Sequence, residues 1–195
     1  RDSFFNLNGF WEFTAGHTET DGIRVPFCPE SQLSTVKRHF QEGTPLHYRR
    51  YFTLPEGFNR GRVLLHIGAA DQVAEIYVNQ KLVCTHWDGY QAFSCDITDF
   101  LQKENQLTVR TTDDLRSCRM PYGKQTLKRG GMWYTPVSGI WQTVWAESVS
   151  ANYIQSLDIQ ADMEKAVIRI YPALSGKILL DGKEYPLHNG KAVVK

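Results

Sequence analysis

Apolar and polar residues alternate along most of this chain, in runs too short for helices. In "RVLLHIG", Val63, Leu65 and Ile67 fall on one face of a strand. "QAFSCDI" turns Phe93, Cys95 and Ile97 inward in the same way, and "NQLTVRTT" does so with Leu107, Val109 and Thr111. "AEIYVNQKLVCTHW" reads as a hairpin turning at Asn79-Gln80. Asn accepts the positive φ of a two-residue turn and Gln does so poorly, so a wider turn is expected. "DITDFLQKEN" predicts one short helical turn, with Asp96 or Thr98 placed to cap it. Short strands between turn residues, with almost no helical period, predict an all-β sandwich.

Two segments break the pattern. Residues 26–47 carry three prolines and little alternation. Residues 113–132 form a long loop with Arg116, Arg119, Lys124, Lys128 and Arg129 set against Asp113 and Asp114. Loops of that length in compact domains are usually functional or disordered. Near Ala151 the texture changes to a meander: "YIQSLDIQ", "AVIRIY", "KILL", "KEYPL", "KAVV". Asp181-Gly182 and Asn189-Gly190 are strong signals for two-residue hairpin turns. A boundary at about 148–152 leaves only 45 residues, 151–195, for the second unit. Its two hairpins are expected to join neighbours in one sheet, with an apolar face left uncovered.

Composition narrows the classes of function. The net charge is +1 and the basic residues are spread along the chain, which gives no support for a nucleic-acid face. No apolar run approaches the length of about 18 residues needed to span a membrane. The six histidines lack ligand spacing, so neither a metal nor another cofactor is expected. The four cysteines, Cys28, Cys84, Cys95 and Cys118, form no CxxC. Cys84 and Cys95 sit in strand-like runs and read as buried free thiols; disulfides would require an exported protein, and four cysteines allow three pairings.

Several stretches, taken in order, resemble the N-terminal region of glycoside hydrolase family 2, the β-galactosidase, β-glucuronidase and β-mannosidase group. They are "LNGFWEF", "VPFCPESQLS", "HYRRYFTLP", Arg62–Leu101, "NQLTVRTTDD" and "MWYTPVSGIWQTVWAESV". The resemblance implies a jelly-roll, galactose-binding-like sandwich over residues 1–150. It also implies the start of an immunoglobulin-like sandwich over 151–195, truncated. The family's catalytic carboxylates lie in a third domain, a (β/α)8 barrel. A retaining glycosidase needs two carboxylates about 5–5.5 Å apart, and the family's acid/base glutamate follows an asparagine. No Asn-Glu occurs in the 195 residues. The expected function is therefore that of a non-catalytic region of an exo-β-glycosidase, with no catalytic residue of its own. Its expected partners are its own C-terminal catalytic domain and, through the parent enzyme, a carbohydrate substrate. Homo-oligomerisation stays open. The alternative is a stand-alone, lectin-like carbohydrate-binding module. Free thiols favour the cytoplasm; the resemblance keeps export open.

"SGIWQTVWAESV" alternates Ile140, Gln142 and Val144 against Trp141, Thr143 and Trp145. Both faces are partly apolar, so both tryptophans are expected in core or interdomain packing. Gly139 is expected to supply a backbone conformation or a close approach that a side chain would block. Trp133 and Tyr134 precede Pro136 and end the long loop, which in similar enzymes reaches the active-site mouth. They are the candidate substrate-binding residues, with Glu30 of "CPES" as a candidate on the rim. Many relatives carry an aspartate six residues before the glycine of "SGI"; here that position is Trp133. Arg119, Lys124 and Lys128 would suit an acidic sugar if they faced it, but a solvated loop accounts for them as well. Asp71 reads as a strand-end residue, and Asp88 as the setter of a turn before Gly89. Of Arg49-Arg50, one guanidinium is expected inside or at an interface with an acidic partner.

Overall fold

A computed structural model describes residues 2–19, 22–113 and 120–194. The chain divides into two compact units, 1–149 and 150–195. The first contains β1 (Phe4–Asn6), β2 (Gly9–Ala15), β3 (Thr18–Glu19), β4 (Ile23–Val25), β5 (Leu46–Phe52), β6 (Gly61–Ile67), β7 (Ala70–Asp71) and β8 (Val73–Val78). It continues with β9 (Lys81–Trp87), β10 (Phe93–Asp96), β11 (Asn105–Thr112), β12 (Gly139–Ile140) and β13 (Val144–Ser150), whose last residue falls in the second unit.

Two sheets enclose one core. The smaller has the order β1-β13-β6-β10, and the larger β3-β2-β5-β11-β8-β9, with β4 also on β2. The residues predicted to point inward do so. Val63, Leu65 and Ile67 from one sheet meet Ile76, Leu107 and Val109 from the other in a single apolar cluster. Trp11 is 1% exposed, and its indole N–H donates to the Leu7 carbonyl at 2.8 Å. Burying a ring of that size removes about 150–250 Å² from water, a gross gain of about 4–6 kcal/mol.

The expected wide turn at Asn79-Gln80 is instead a two-residue turn, with φ of 50° and 68°. Tertiary bonds hold it. The Asn79 amide donates to the Phe100 carbonyl (2.8 Å) and to Asn105 Oδ1 (3.1 Å), and its Oδ1 accepts from the Gln106 N–H (2.8 Å). The helical turn after β10 is one 3-10 turn, Thr98–Phe100, with the Thr98 N–H on Asp96 Oδ1 at 3.0 Å.

Cys84 and Cys95 are not free thiols. They form a disulfide that joins β9, at the edge of the larger sheet, to β10, at the edge of the smaller. Strand alternation placed both near the interior; which strands adjoin is a matter of topology. Cys28 is free, and burial raises its thiol to about 11. Cys118 lies outside the described residues.

The second unit contains β14 (Ser156–Ala161), β15 (Ala166–Tyr171), β16 (Gly176–Leu180), β17 (Lys183–Leu187) and β18 (Lys191–Val194). Asp181-Gly182 and Asn189-Gly190 make the predicted turns, all four residues at positive φ. The single sheet expected here is instead two. β18 leaves β17 after the His188–Lys191 bridge and pairs with β15, giving β14-β15-β18 and a separate hairpin β16-β17. Ile168, Ala192 and Val194 are buried on the first and Leu187 on the second. Leu157 and Ile159 on the edge strand β14 stay 57% and 56% exposed.

Candidate functional site

The long loop returns to the sandwich at β12, which pairs Gly139 with Asp71 and Ile140 with Ala70 of β7. Gly139 has φ of 69°, and a Cβ there would overlap the Tyr48 hydroxyl, so conformation and close approach both require glycine. The Tyr48 hydroxyl accepts the Ile140 N–H at 3.3 Å.

Within the loop, two legs run side by side. The Tyr134 N–H donates to the Lys124 carbonyl (2.8 Å), and the Thr126 N–H to the Tyr134 carbonyl (3.1 Å). Gln125 sits between the legs, 9% exposed. Its Nε2 donates to the Tyr90 hydroxyl (2.9 Å) and to the Tyr122 carbonyl (2.7 Å), and its Oε1 accepts from the Val137 N–H (2.6 Å). Sequence reasoning did not single out Gln125; only the fold shows that this glutamine faces inward. Asp88 sets the neighbouring turn as expected, its Oδ1 accepting from the Tyr90 N–H at 2.7 Å.

Trp133, 43% exposed, lines an open cleft of about 390 Å³ with Tyr122, Gln125, Thr126, Leu127, Lys128 and Glu42. Tyr134, 67% exposed, is next to it in the chain but does not line the cleft. Glu30 does not line it either. Its Oε1 accepts from the Ser138 hydroxyl (2.7 Å) and its Oε2 from the Ser138 N–H (3.2 Å). Burial raises the Glu30 pKa, and these two bonds oppose the rise. The local turn presents Glu30 in that direction: the Ser31 N–H bonds to the Cys28 carbonyl at 2.9 Å, and the Ser34 hydroxyl to the Pro29 carbonyl at 3.0 Å. Of the basic loop residues, Lys128 reaches the cleft, while the Arg129 guanidinium donates to the Thr135 hydroxyl at 3.0 Å. Arg116, Arg119 and Asp114 lie outside the described residues.

Asp71 does end a strand, but it is also buried, 2% exposed, with Oδ1 unpartnered. Burial raises its pKa to about 6; Gln125 lowers it, and Asp88 and Glu30 add to the rise. A Cβ at Gly89 would overlap this carboxylate. Arg49 and Arg50 divide differently from the expectation. Arg49 points outward onto Glu12, whereas Arg50 donates to the Phe10 carbonyl at 2.9 Å. A backbone carbonyl thus stands where an acid was expected.

Trp141 and Trp145 are half-buried rather than central to the core, which takes Ile140, Val144 and Ala146 from this stretch. The Trp141 indole donates to the Gly89 carbonyl at 2.8 Å, and Trp145 stacks on His66 with centroids 4.8 Å apart. Ile140, Val144 and Ala146 keep one inward period of two, and both tryptophans alternate with it, so neither takes the inner face.

The family described as "Glycosyl hydrolase 2 galactose-binding domain-like" matches residues 20–133, more than half of the chain. The chain belongs to this family. A glycosyl hydrolase 2 sandwich explains the all-β architecture and the jelly-roll order of its sheets. Among curated proteins, a β-galactosidase of Thermoanaerobacter pseudethanolicus is 27% identical over 188 residues, 91% of this chain and 24% of that protein. A β-glucuronidase of Bacteroides fragilis is 25% identical over 121 residues, 59% of this chain and 17% of that protein. This glycosyl hydrolase 2 chain therefore spans a quarter or less of the length of these relatives. Among solved structures, a β-D-glucuronidase of Dictyoglomus thermophilum shares the fold with a TM-score of 0.68 at 20% identity, covering 98% of this chain and 38% of that one.

Proposed function

We propose that this chain is the non-catalytic N-terminal portion of a retaining family 2 exo-β-glycosidase, and that Trp133 faces the sugar bound by the parent enzyme, with Tyr134 next to it in the chain but outside the cleft. The cleft beside Trp133 carries the reading: an open indole on a loop whose backbone is held by a buried glutamine. A flat indole suits the apolar face of a pyranose ring.

Acids with raised pKa often mark catalytic sites, and half-buried Glu30 and buried Asp71 both have raised values. Neither is placed for catalysis, because Glu30 has both oxygens on Ser138 and Asp71 is closed off from solvent. The chemistry belongs to carboxylates elsewhere in the parent protein. Its substrate is a β-galactoside or a β-glucuronide, the two kinds of glycoside named by the relatives. Exposed Leu157 and Ile159 on the open edge of β14 are where further strands of the second sandwich, or a second copy, would pack. The cytoplasmic expectation rested on free thiols; the Cys84–Cys95 disulfide favours an oxidising compartment.

Two assays test the proposal. Nitrophenyl β-galactoside and β-glucuronide should release no nitrophenol above a mock preparation. Turnover that disappears on mutating a residue of this chain would overturn the reading. Titration calorimetry with free monosaccharides should give dissociation constants in the millimolar range or weaker, about 4 kcal/mol of binding free energy. A micromolar constant would establish the lectin-like module instead.

A further inference from the structure

The residues that lead out of the long loop are held by side chains where a strand would be held by backbone. The Val137 N–H goes to Gln125 Oε1 (2.6 Å), the Ser138 N–H to Glu30 Oε2 (3.2 Å) and the Ile140 N–H to the Tyr48 hydroxyl (3.3 Å). Backbone pairing resumes at β12, where Gly139 lies opposite Asp71, and it continues with the Trp141 N–H donating to the Ala69 carbonyl at 3.3 Å. The three acceptors come from three places: the loop itself, the segment before β5, and β5.

We propose that Glu30 and Gln125 are positioning residues, a two-point clamp that sets where Trp133 stands over its cleft. The functional part of this proposal rests on the reading of that cleft as sugar-facing. Gln125 uses its whole amide. It ties the Tyr122 carbonyl on one leg to the Val137 N–H on the other, and both to the Tyr90 hydroxyl on the 88–90 turn. Tyr122, Gln125 and Trp133 all line the cleft, so a shift of Gln125 alters its wall. Glu30 grips the next residue twice, through the Ser138 N–H and hydroxyl. It does so across 108 residues of sequence, which fastens the loop exit to the N-terminal segment rather than to its own neighbours. A buried polar group left without its partner is costly, so the loop has little freedom while both grips are made. The sandwich ladders do not depend on either residue. β11 pairs with β5 and β8 along backbone ladders that include neither Glu30 nor Gln125.

The two side chains differ in what can replace them. Glutamine at position 30 keeps an oxygen for the Ser138 N–H and offers an amide donor to the Ser138 hydroxyl. Alanine keeps neither. This separates the clamp from a general packing role, because Glu30→Gln should restore what Glu30→Ala loses.

The test uses the whole 195-residue chain and its Glu30→Ala, Glu30→Gln and Gln125→Ala variants, followed by amide hydrogen exchange. In Glu30→Ala and Gln125→Ala, exchange across residues 122–138 should speed up at least tenfold, while residues 105–112 keep their protection. Glu30→Gln should stay within about threefold of the wild type. Unchanged exchange at 122–138 in Glu30→Ala, or a Glu30→Gln variant as loose as the alanine variant, overturns the clamp. So does an equal loss of protection at 105–112, which would mean that the residues support the sandwich as a whole.

A second measurement separates the clamp from the sugar reading. Phenyl β-D-galactoside and phenyl β-D-glucuronide are titrated while the Trp133 indole resonance is observed. If the wild type responds, Glu30→Ala should weaken binding at least fivefold and Glu30→Gln should not; equal affinity in Glu30→Ala overturns the positioning role. If the wild type gives no response at Trp133, the sugar-facing reading and the functional role built on it fail, while the mechanical clamp is judged by exchange alone.

Discussion

Strand β11 and the segment Val137–Ile140 both deliver a side chain to the core of the first unit, and they are held there in different ways. β11 is paired along its length on both sides, Leu107 facing Arg50 of β5 and Val78 of β8. Its inward residues Leu107, Val109 and Thr111 are fully buried. The loop exit has three of its backbone donors on three side chains instead. A ladder spreads its register over many equivalent bonds, so no single side chain decides it. An exit held by Glu30, Gln125 and Tyr48 can be moved by one substitution. A functional loop is adjustable in sequence without cost to the core for that reason.

The largest expected effect should strike the ladder side of this contrast. Trp11→Ala removes a fully buried indole and should cost about 3–5 kcal/mol in urea unfolding. A loss below about 1 kcal/mol would show that the sandwich is not the stable partner in the comparison.

Next comes the staple between the sheets. Replacing Cys84 and Cys95 together by alanine opens a loop with a sequence separation of 11 and should cost about 3 kcal/mol. Exchange at residues 122–138 should be unaffected. If that loop loosens as much as the β9 and β10 edges do, the loop and the sandwich are mechanically one body and the contrast fails.

Asp71 stands where the two regions meet, on β7 opposite Gly139 of β12. Its pKa is raised from 3.8 to about 6, mainly by burial. The folded state therefore holds this proton more tightly than the unfolded chain. The stabilisation is fully present below pH 3.8 and is lost as the pH rises through about 6. A displacement of that size is worth up to about 3 kcal/mol. Asp71→Asn should remove the dependence. Its stability advantage over the wild type should grow between pH 4 and pH 7 and then level off. Urea midpoints at four pH values measure this; an advantage that shrinks as pH rises would reverse the assigned sign.

The smallest effect belongs to Trp133. Half-open on the cleft, it should tolerate alanine within about 0.5 kcal/mol, with a melting temperature close to that of the wild type. A drop approaching that of Trp11→Ala would move Trp133 into the core and end its candidacy.

The sandwich was legible because burial on one face of a strand leaves a period of two in the residue types. Val63, Leu65 and Ile67 reveal it, as do Leu107 and Val109, and the pairs Asp181-Gly182 and Asn189-Gly190 reveal their turns by chemistry that acts within a few residues. The candidate site was legible only in part. Trp133 was drawn out by its place at the end of a non-alternating loop, and the structure does set it on a cleft. Glu30 was singled out for a rim and proves to face Ser138, because nothing near it in sequence indicates a partner 108 residues away. Gln125 carried no signal, since a glutamine in a polar loop looks solvated until both of the loop's legs are seen to close over it.

The sequence by itself determined the class of fold, the inward faces of its strands, the turns of the second unit and the absence of an Asn-Glu pair. Each is a local property, written in neighbouring residues by backbone geometry and burial. Only the tertiary structure decided the pairing of Cys84 with Cys95, the tight turn at Asn79-Gln80, the passage of β18 to β15, and the partners of Glu30, Gln125 and Asp71. These depend on which distant segments become neighbours. That follows from how two sheets close on one core, and local residue patterns carry no record of it.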